Sequence, residues 1–142
     1  MDFENFEQKK QTLSDLLIDG FNNAIYSHKL LFKSELDDEK EFDKQNDLMC
    51  ALTYLNQAHT CFTNAYTFIA LNDELLGGRQ EFEKLLNQFT IFNTEFLTNV
   101  RTNHSHQWSD IEFRHLVDSF EASSVLLNGQ ERIQYLINEA KK

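Results

Sequence analysis

Three properties of the chain predict an all-α fold, a single-domain antiparallel up-and-down four-helix bundle spanning residues 1–142. There is no Pro, and only four Gly occur in 142 residues, which disfavours turn-rich sandwiches and barrels. Apolar residues recur at three- and four-residue spacing over long stretches, the period of a helix buried on one face. The chain also carries 13 Phe against one Trp and four Tyr, bulky side chains that long, packed elements can bury. Its length suits one domain with a sizeable core.

The first helix is expected over about residues 3–33, where Phe3, Phe6, Leu13, Leu17, Phe21, Ala24, Ile25, His28, Leu31 and Phe32 share a face. Gly20 costs about 1 kcal/mol of helix propensity there, and its missing side chain offers a point of close approach to a neighbour. Residues 34–46 read as a polar, acidic connection. A second helix follows over about 46–76, with Leu48, Leu52, Leu55, Ala58, His59, Phe62, Ala65, Tyr66 and Ile69 on its apolar face and Gly77-Gly78 as cap and turn. The third, over about 79–101, repeats Phe82, Leu85, Leu86, Phe89, Phe92, Phe96, Leu97 and Val100. The fourth is expected over about 109–140. Ser109 and Glu112 have the spacing of a capping box, and Trp108 can staple onto Phe113. Its apolar set runs Phe113, Leu116, Val117, Phe120, Leu127, Ile133, Leu136 and Ile137, and Asn128-Gly129 marks a point of breakage or kinking.

Charge is distributed unevenly. The formal net charge is −10 and the pI is near 4.8. Such a balance argues against broad phosphate binding and against anionic membrane surfaces, and suits steering towards a basic partner. Residues 35–47 hold seven acids and two lysines, a local net of −5, and residues 48–72 hold no Asp, Glu, Lys or Arg. Surface helices ordinarily carry charge on their outer face, so a long uncharged helix is expected to be covered, by its own chain or by a partner. The uncharged stretch is too rich in Asn, Gln, Thr and His for a membrane span, and the polar start MDFENFEQKK does not resemble a signal peptide. Cys50 and Cys61 are eleven residues apart, ~16 Å along a helix, too far to bridge within it. They read as free thiols of a reducing compartment. A cytoplasmic protein is expected.

Two sets of residues point to a binding surface. Glu35, Asp37, Asp38, Glu39, Glu41, Asp43 and Asp47 form an acidic run suited to docking a cationic protein surface. They lack the Gly and the spacing of a calcium loop. Thr53, Asn56, Gln57, Thr60, Thr63, Asn64 and Thr67 fall at helical spacing on the second helix. Neutral hydrogen-bonding side chains tolerate a desolvated contact better than charges do, so this stripe suits a partner contact or a homodimer seam through helix two. No cofactor or metal is implied. A di-iron bundle needs two Glu-x-x-His motifs, and Glu112–His115 is the one copy here. A site built from His28, His59 and His115 would need three helices to converge.

Arg101, His106 and Trp108, between the third and fourth helices, resemble the signature of the HEPN family of small helical ribonucleases and nucleotidyltransferase partners: Arg, four to six residues, His, then an aromatic two positions on. Where the family commonly has Asn after the Arg this chain has Thr102, and Trp108 replaces the common Tyr. The resemblance covers eight residues. It implies that His106 would act as general base on a ribose 2′-hydroxyl, with Arg101 stabilising the phosphorane-like transition state, in a site completed across a dimer. The acidic surface opposes RNA binding. The first expectation is therefore a non-enzymatic interaction module, an acidic inhibitor of the immunity or antitoxin kind that occludes a basic partner such as a nuclease. The HEPN-like activity is the alternative, and a structural adaptor bundle is the third.

Overall fold

The computed structural model describes residues 3–33, 41–72, 78–102 and 107–142. Every regular element among them is helical: α1 (Phe3–Lys33), α2 (Glu41–Leu71), α3 (Arg79–Thr102), α4 (Gln107–Ser123), a short 3-10 turn (Ser124–Leu126) and α5 (Gln130–Ala140). The fold is all-α, and α1 and α3 lie where the apolar periodicity puts them.

Three expectations need correction. First, α2 covers Glu41–Leu71, so residues 41–46 of the expected connection are helix and the helix ends short of the expected 76. Second, α4 starts at Gln107, which puts Ser109 and Glu112 inside the helix rather than in a capping box. Their side chains serve α3 instead: buried Asn99 donates from Nδ2 to Ser109 Oγ at 2.8 Å, and Gln88 donates from Nε2 to Glu112 Oε2 at 2.9 Å. Trp108, the expected staple, is 60% exposed.

Third, the expected fourth helix is two helices. Its break is stitched by side chains that replace the lost helical hydrogen bonds. Gln130 donates from Nε2 to the carbonyls of Ser124 (2.7 Å) and Leu127 (2.8 Å). The backbone N–H of Asn128 donates to Ser14 Oγ of α1 at 2.9 Å. Gly129 then turns the chain with φ of 83°, a left-handed conformation that other residues adopt only at a cost.

The helices share one core. α1 packs along α2, and α3 along α4, much more extensively than α2 along α3. Phenylalanine rings pack both between and within these pairs. Phe21 of α1 stacks on Phe120 of α4 with centroids 4.1 Å apart, Phe62 of α2 meets Phe89 of α3 at 4.3 Å, and Phe92 of α3 meets Phe113 of α4 at 5.6 Å. Gly20 sits where α1 comes closest to α2. A Cβ there would lie 3.1 Å from Phe62 Cε2 and 3.2 Å from Cys61 Cβ.

Because Cys61 Cβ is fixed to the α2 backbone, only the Phe62 ring could yield to an added methyl at Gly20. Overpacking then outweighs the gain in helix propensity, and Gly20→Ala should lower unfolding free energy by about 1 kcal/mol, with Gly20→Leu costing several times more. Urea denaturation of the two variants checks this; a stabilised Gly20→Ala would show that the interface relaxes freely.

Candidate interaction surface

All seven residues of the neutral stripe on α2, Thr53, Asn56, Gln57, Thr60, Thr63, Asn64 and Thr67, face solvent. The rest of the described residues do not cover them. Three of the threonines have already used their hydroxyl protons within the helix: Thr53, Thr60 and Thr67 donate to the carbonyls of Met49, Asn56 and Thr63, four residues back. Burying such threonines against a partner strands no donor, which keeps the desolvation cost low.

The stripe borders an open seam. Three residues that the apolar periodicity assigns to the core, His59, Tyr66 and Leu97, are exposed instead, Tyr66 at 52% and Leu97 at 45%. All three lie where α2 and α3 meet loosely. Two hollows follow this seam. One, of about 470 Å³, is lined by His59, Phe62, Tyr66, Leu86 and Phe89 among others. The second, of about 330 Å³, lies between Leu52, Leu55, His59, Asn93 and Leu97. The α3 side of the seam is also short of charge, since residues 85–94 hold no Asp, Glu, Lys or Arg; Glu83 lies at one end. Met49, Leu71 and Ile91 are further exposed apolar side chains on these two helices.

The acidic run is only partly in view. Glu35, Asp37, Asp38 and Glu39 lie outside the described residues. Glu41 and Asp43 are in α2, and Asp43 is exposed. Asp47 is 7% exposed; it belongs to the packed part of the helix and not to a solvent-facing patch.

The Arg101 motif is also divided. Arg101 is exposed near the end of α3 and Trp108 at the start of α4, whereas His106 lies outside the described residues. The three histidines weighed as a metal set have separate surroundings: His28 is stacked on Phe113, His59 lies near Phe89, and His115 is an exposed neighbour of Glu112. Among the described residues, no three His, Cys, Asp or Glu side chains are grouped to hold a metal ion. Cys50 and Cys61 are free and half-buried; burial first, and then the nearby Asp19 charge, raise the Cys61 thiol pKa. Among the described residues, no helix is long and apolar enough to cross a membrane. Compared with known proteins, the chain matches no family model, no curated protein and no solved structure.

A second cluster lies on the other side of the molecule, where α1 meets α4. His28 donates or accepts through Nε2 to Asp110 Oδ1 at 3.1 Å, with its ring stacked 4.0 Å from Phe113 and set edge-on to Phe32. Arg114 binds the other Asp110 oxygen from Nε at 2.9 Å. Burial lowers the His28 pKa from 6.5 to about 4; Asp110 opposes the shift, by charge and by hydrogen bond, and Arg114 adds to it. His28 is therefore neutral near pH 7, so in that state Nε2–H donates to the carboxylate.

A depressed histidine pKa makes stability depend on pH with a definite sign. Above about 6.5 neither state holds a proton on His28. As pH falls from 6.5 towards 4 the unfolded chain takes up a proton that the folded chain refuses, so stability drops across that window, by roughly 3 kcal/mol in total. Urea midpoints measured from pH 7.5 to 4 should fall more steeply for the wild type than for His28→Gln; equal slopes would exclude His28 as the source.

Proposed function

We propose that this chain is a non-enzymatic protein–protein interaction module, an acidic inhibitor of the immunity or antitoxin kind that occludes a basic partner such as a nuclease. The open, uncharged α2–α3 face is the observation that carries the reading. A chain of net charge −10 leaves one long helix face free of charge and exposes upon it apolar residues that ordinary patterning would bury. Water-excluding contacts need such a face. On this reading the neutral stripe and the seam make the buried contact. The acids Glu35, Asp37, Asp38, Glu39, Glu41 and Asp43, beside the start of α2, raise the rate of encounter with a cationic surface.

The same proposal takes the architecture to be an antiparallel up-and-down four-helix bundle, with α4 and α5 together as the fourth helix. Helix register supports this: Gly20 approaches Cys61 while Tyr26 meets Tyr54, and Asn99 meets Ser109 while Phe92 meets Phe113. In both pairs one helix ascends as its neighbour descends.

A second reading, from a different class, draws on the exposure of Arg101 near the end of α3 and Trp108 near the start of α4. A HEPN-like ribonuclease would cleave RNA in the wild type and lose that cleavage in His106→Ala.

The inhibitor reading is tested by retaining a host partner on the immobilised protein at low salt, and then repeating with Thr60→Lys and Thr63→Glu. Either substitution puts a charge into the buried contact and should weaken binding at least tenfold, with thermal stability unchanged because both sites are exposed. Reversing Asp37, Asp38, Glu39 and Glu41 should slow association and flatten its salt dependence. A partner held equally well by all of these variants would overturn the proposal.

A further inference from the structure

Away from the α2–α3 face, α1, α4 and α5 enclose a cavity of about 370 Å³. Its apolar wall is Ile25, Phe32 and Phe113, and His28 and Asp110 lie beside them. Four of the chain's 13 cationic side chains, Lys29, Arg114, Lys141 and Lys142, surround it, together with Glu139. In a protein of net charge −10, this concentration of positive charge beside an aromatic wall is out of keeping with the rest of the surface.

Hydrogen-bonding capacity decides the sign of the ligand. Asp110 already accepts from His28 and Arg114, and Glu139 already meets Lys142 at 2.8 Å and Lys29 at 3.7 Å. The donors are less used. Arg114 engages Asp110 through Nε alone, so among the described residues its two Nη groups have no partner. Lys29 makes one long contact, and Lys141 a single bond to Glu121, although each ammonium has three N–H groups. Four cations against two carboxylates leave a net positive rim around the cavity, which recognises an anion. His28 Nδ1, buried with no hydrogen-bond partner, is an acceptor in the neutral ring and takes no part in holding an anion.

We infer that the cavity between α1, α4 and α5 binds a small organic anion with a flat apolar body, an aryl or short acyl carboxylate. Its carboxylate is held by Arg114 and Lys29, with Lys141 and Lys142 at the mouth, and its body lies along Phe32 and Phe113. The volume suits a compact ligand, since pockets for small molecules begin near 300 Å³. This site is separate from the interaction face, and neither needs the other.

Naphthalene-2-carboxylate is a suitable probe, titrated into isotopically labelled protein by NMR, with naphthalene-2-carboxamide as its neutral counterpart. The acid should saturate at submillimolar concentration and shift the ring signals of His28, Phe32 and Phe113. The amide should bind at least tenfold more weakly. Arg114→Gln and Lys29→Gln, both at exposed ion pairs, should each weaken the acid about tenfold while the folded spectrum is kept, in line with loss of one charge-assisted hydrogen bond. No saturation at several millimolar, equal affinity for acid and amide, shifts confined to the α2–α3 seam, or undiminished binding by both variants would each overturn the site.

Discussion

Aromatic rings packed between two tightly joined helix pairs are the constraint on which the molecule depends. α1 with α2 and α3 with α4 make the extensive contacts, and the joint between the pairs relies on Phe21 against Phe120 and Phe62 against Phe89, with Phe92 against Phe113 tightening the second pair. Large flat side chains bring much apolar area to few positions, and offset or tilted rings gain a little beyond area burial. They also hold helices apart where no second ring fills the space. On the α1–α4 side, the stacked rings continue to His28 on Phe113. On the α2–α3 side, the Phe62–Phe89 pair lines one of two hollows, with His59 on the wall of both, that no described side chain fills. The open seam and the cavity beside His28 are thus two outcomes of one way of packing.

Much of this was legible in the sequence because helical periodicity is a strong signal over long segments. The α1 bounds and nearly the whole buried set of α3 and α4 follow from it. Errors arose where a local pattern competed with a distant contact. Ser109 and Glu112 have capping-box spacing, but Asn99 and Gln88 of α3 claim their side chains. Acidic runs suit solvated loops and helices alike, so the sequence leaves residues 35–47 open between the two, and those from Glu41 on are helix. His59, Tyr66 and Leu97 read as core because periodicity identifies a face without telling whether anything lies against it. Their exposure is information that only tertiary structure supplies, and it is what distinguishes a filled seam from an open one.

The cavity near His28 could not have been found from the sequence. His28 and Asp110 are 82 positions apart, and the cations around them come from α1, α4 and the two residues that follow α5, with no shared motif. Lone histidines on apolar faces are ordinary, and nothing local marks this one. By contrast the neutral stripe was visible at once, because the absence of charge over a long helix is a property of consecutive residues.

The hydrogen bond from Asn128 to Ser14 spans 114 positions, and it has a consequence for how the chain is assembled. Ser14 leaves a ribosome 114 positions ahead of Asn128. Until Asn128 and the α5 residues that follow it have emerged, the Ser14 hydroxyl oxygen and the groove beside it stay open to water, and α5 cannot seat itself. The contacts between α1 and α5 therefore form long after α1 itself is made. A nascent chain stalled just short of Asn128 would present the α1 and α4 faces uncovered, the state in which this protein is most exposed to other chains.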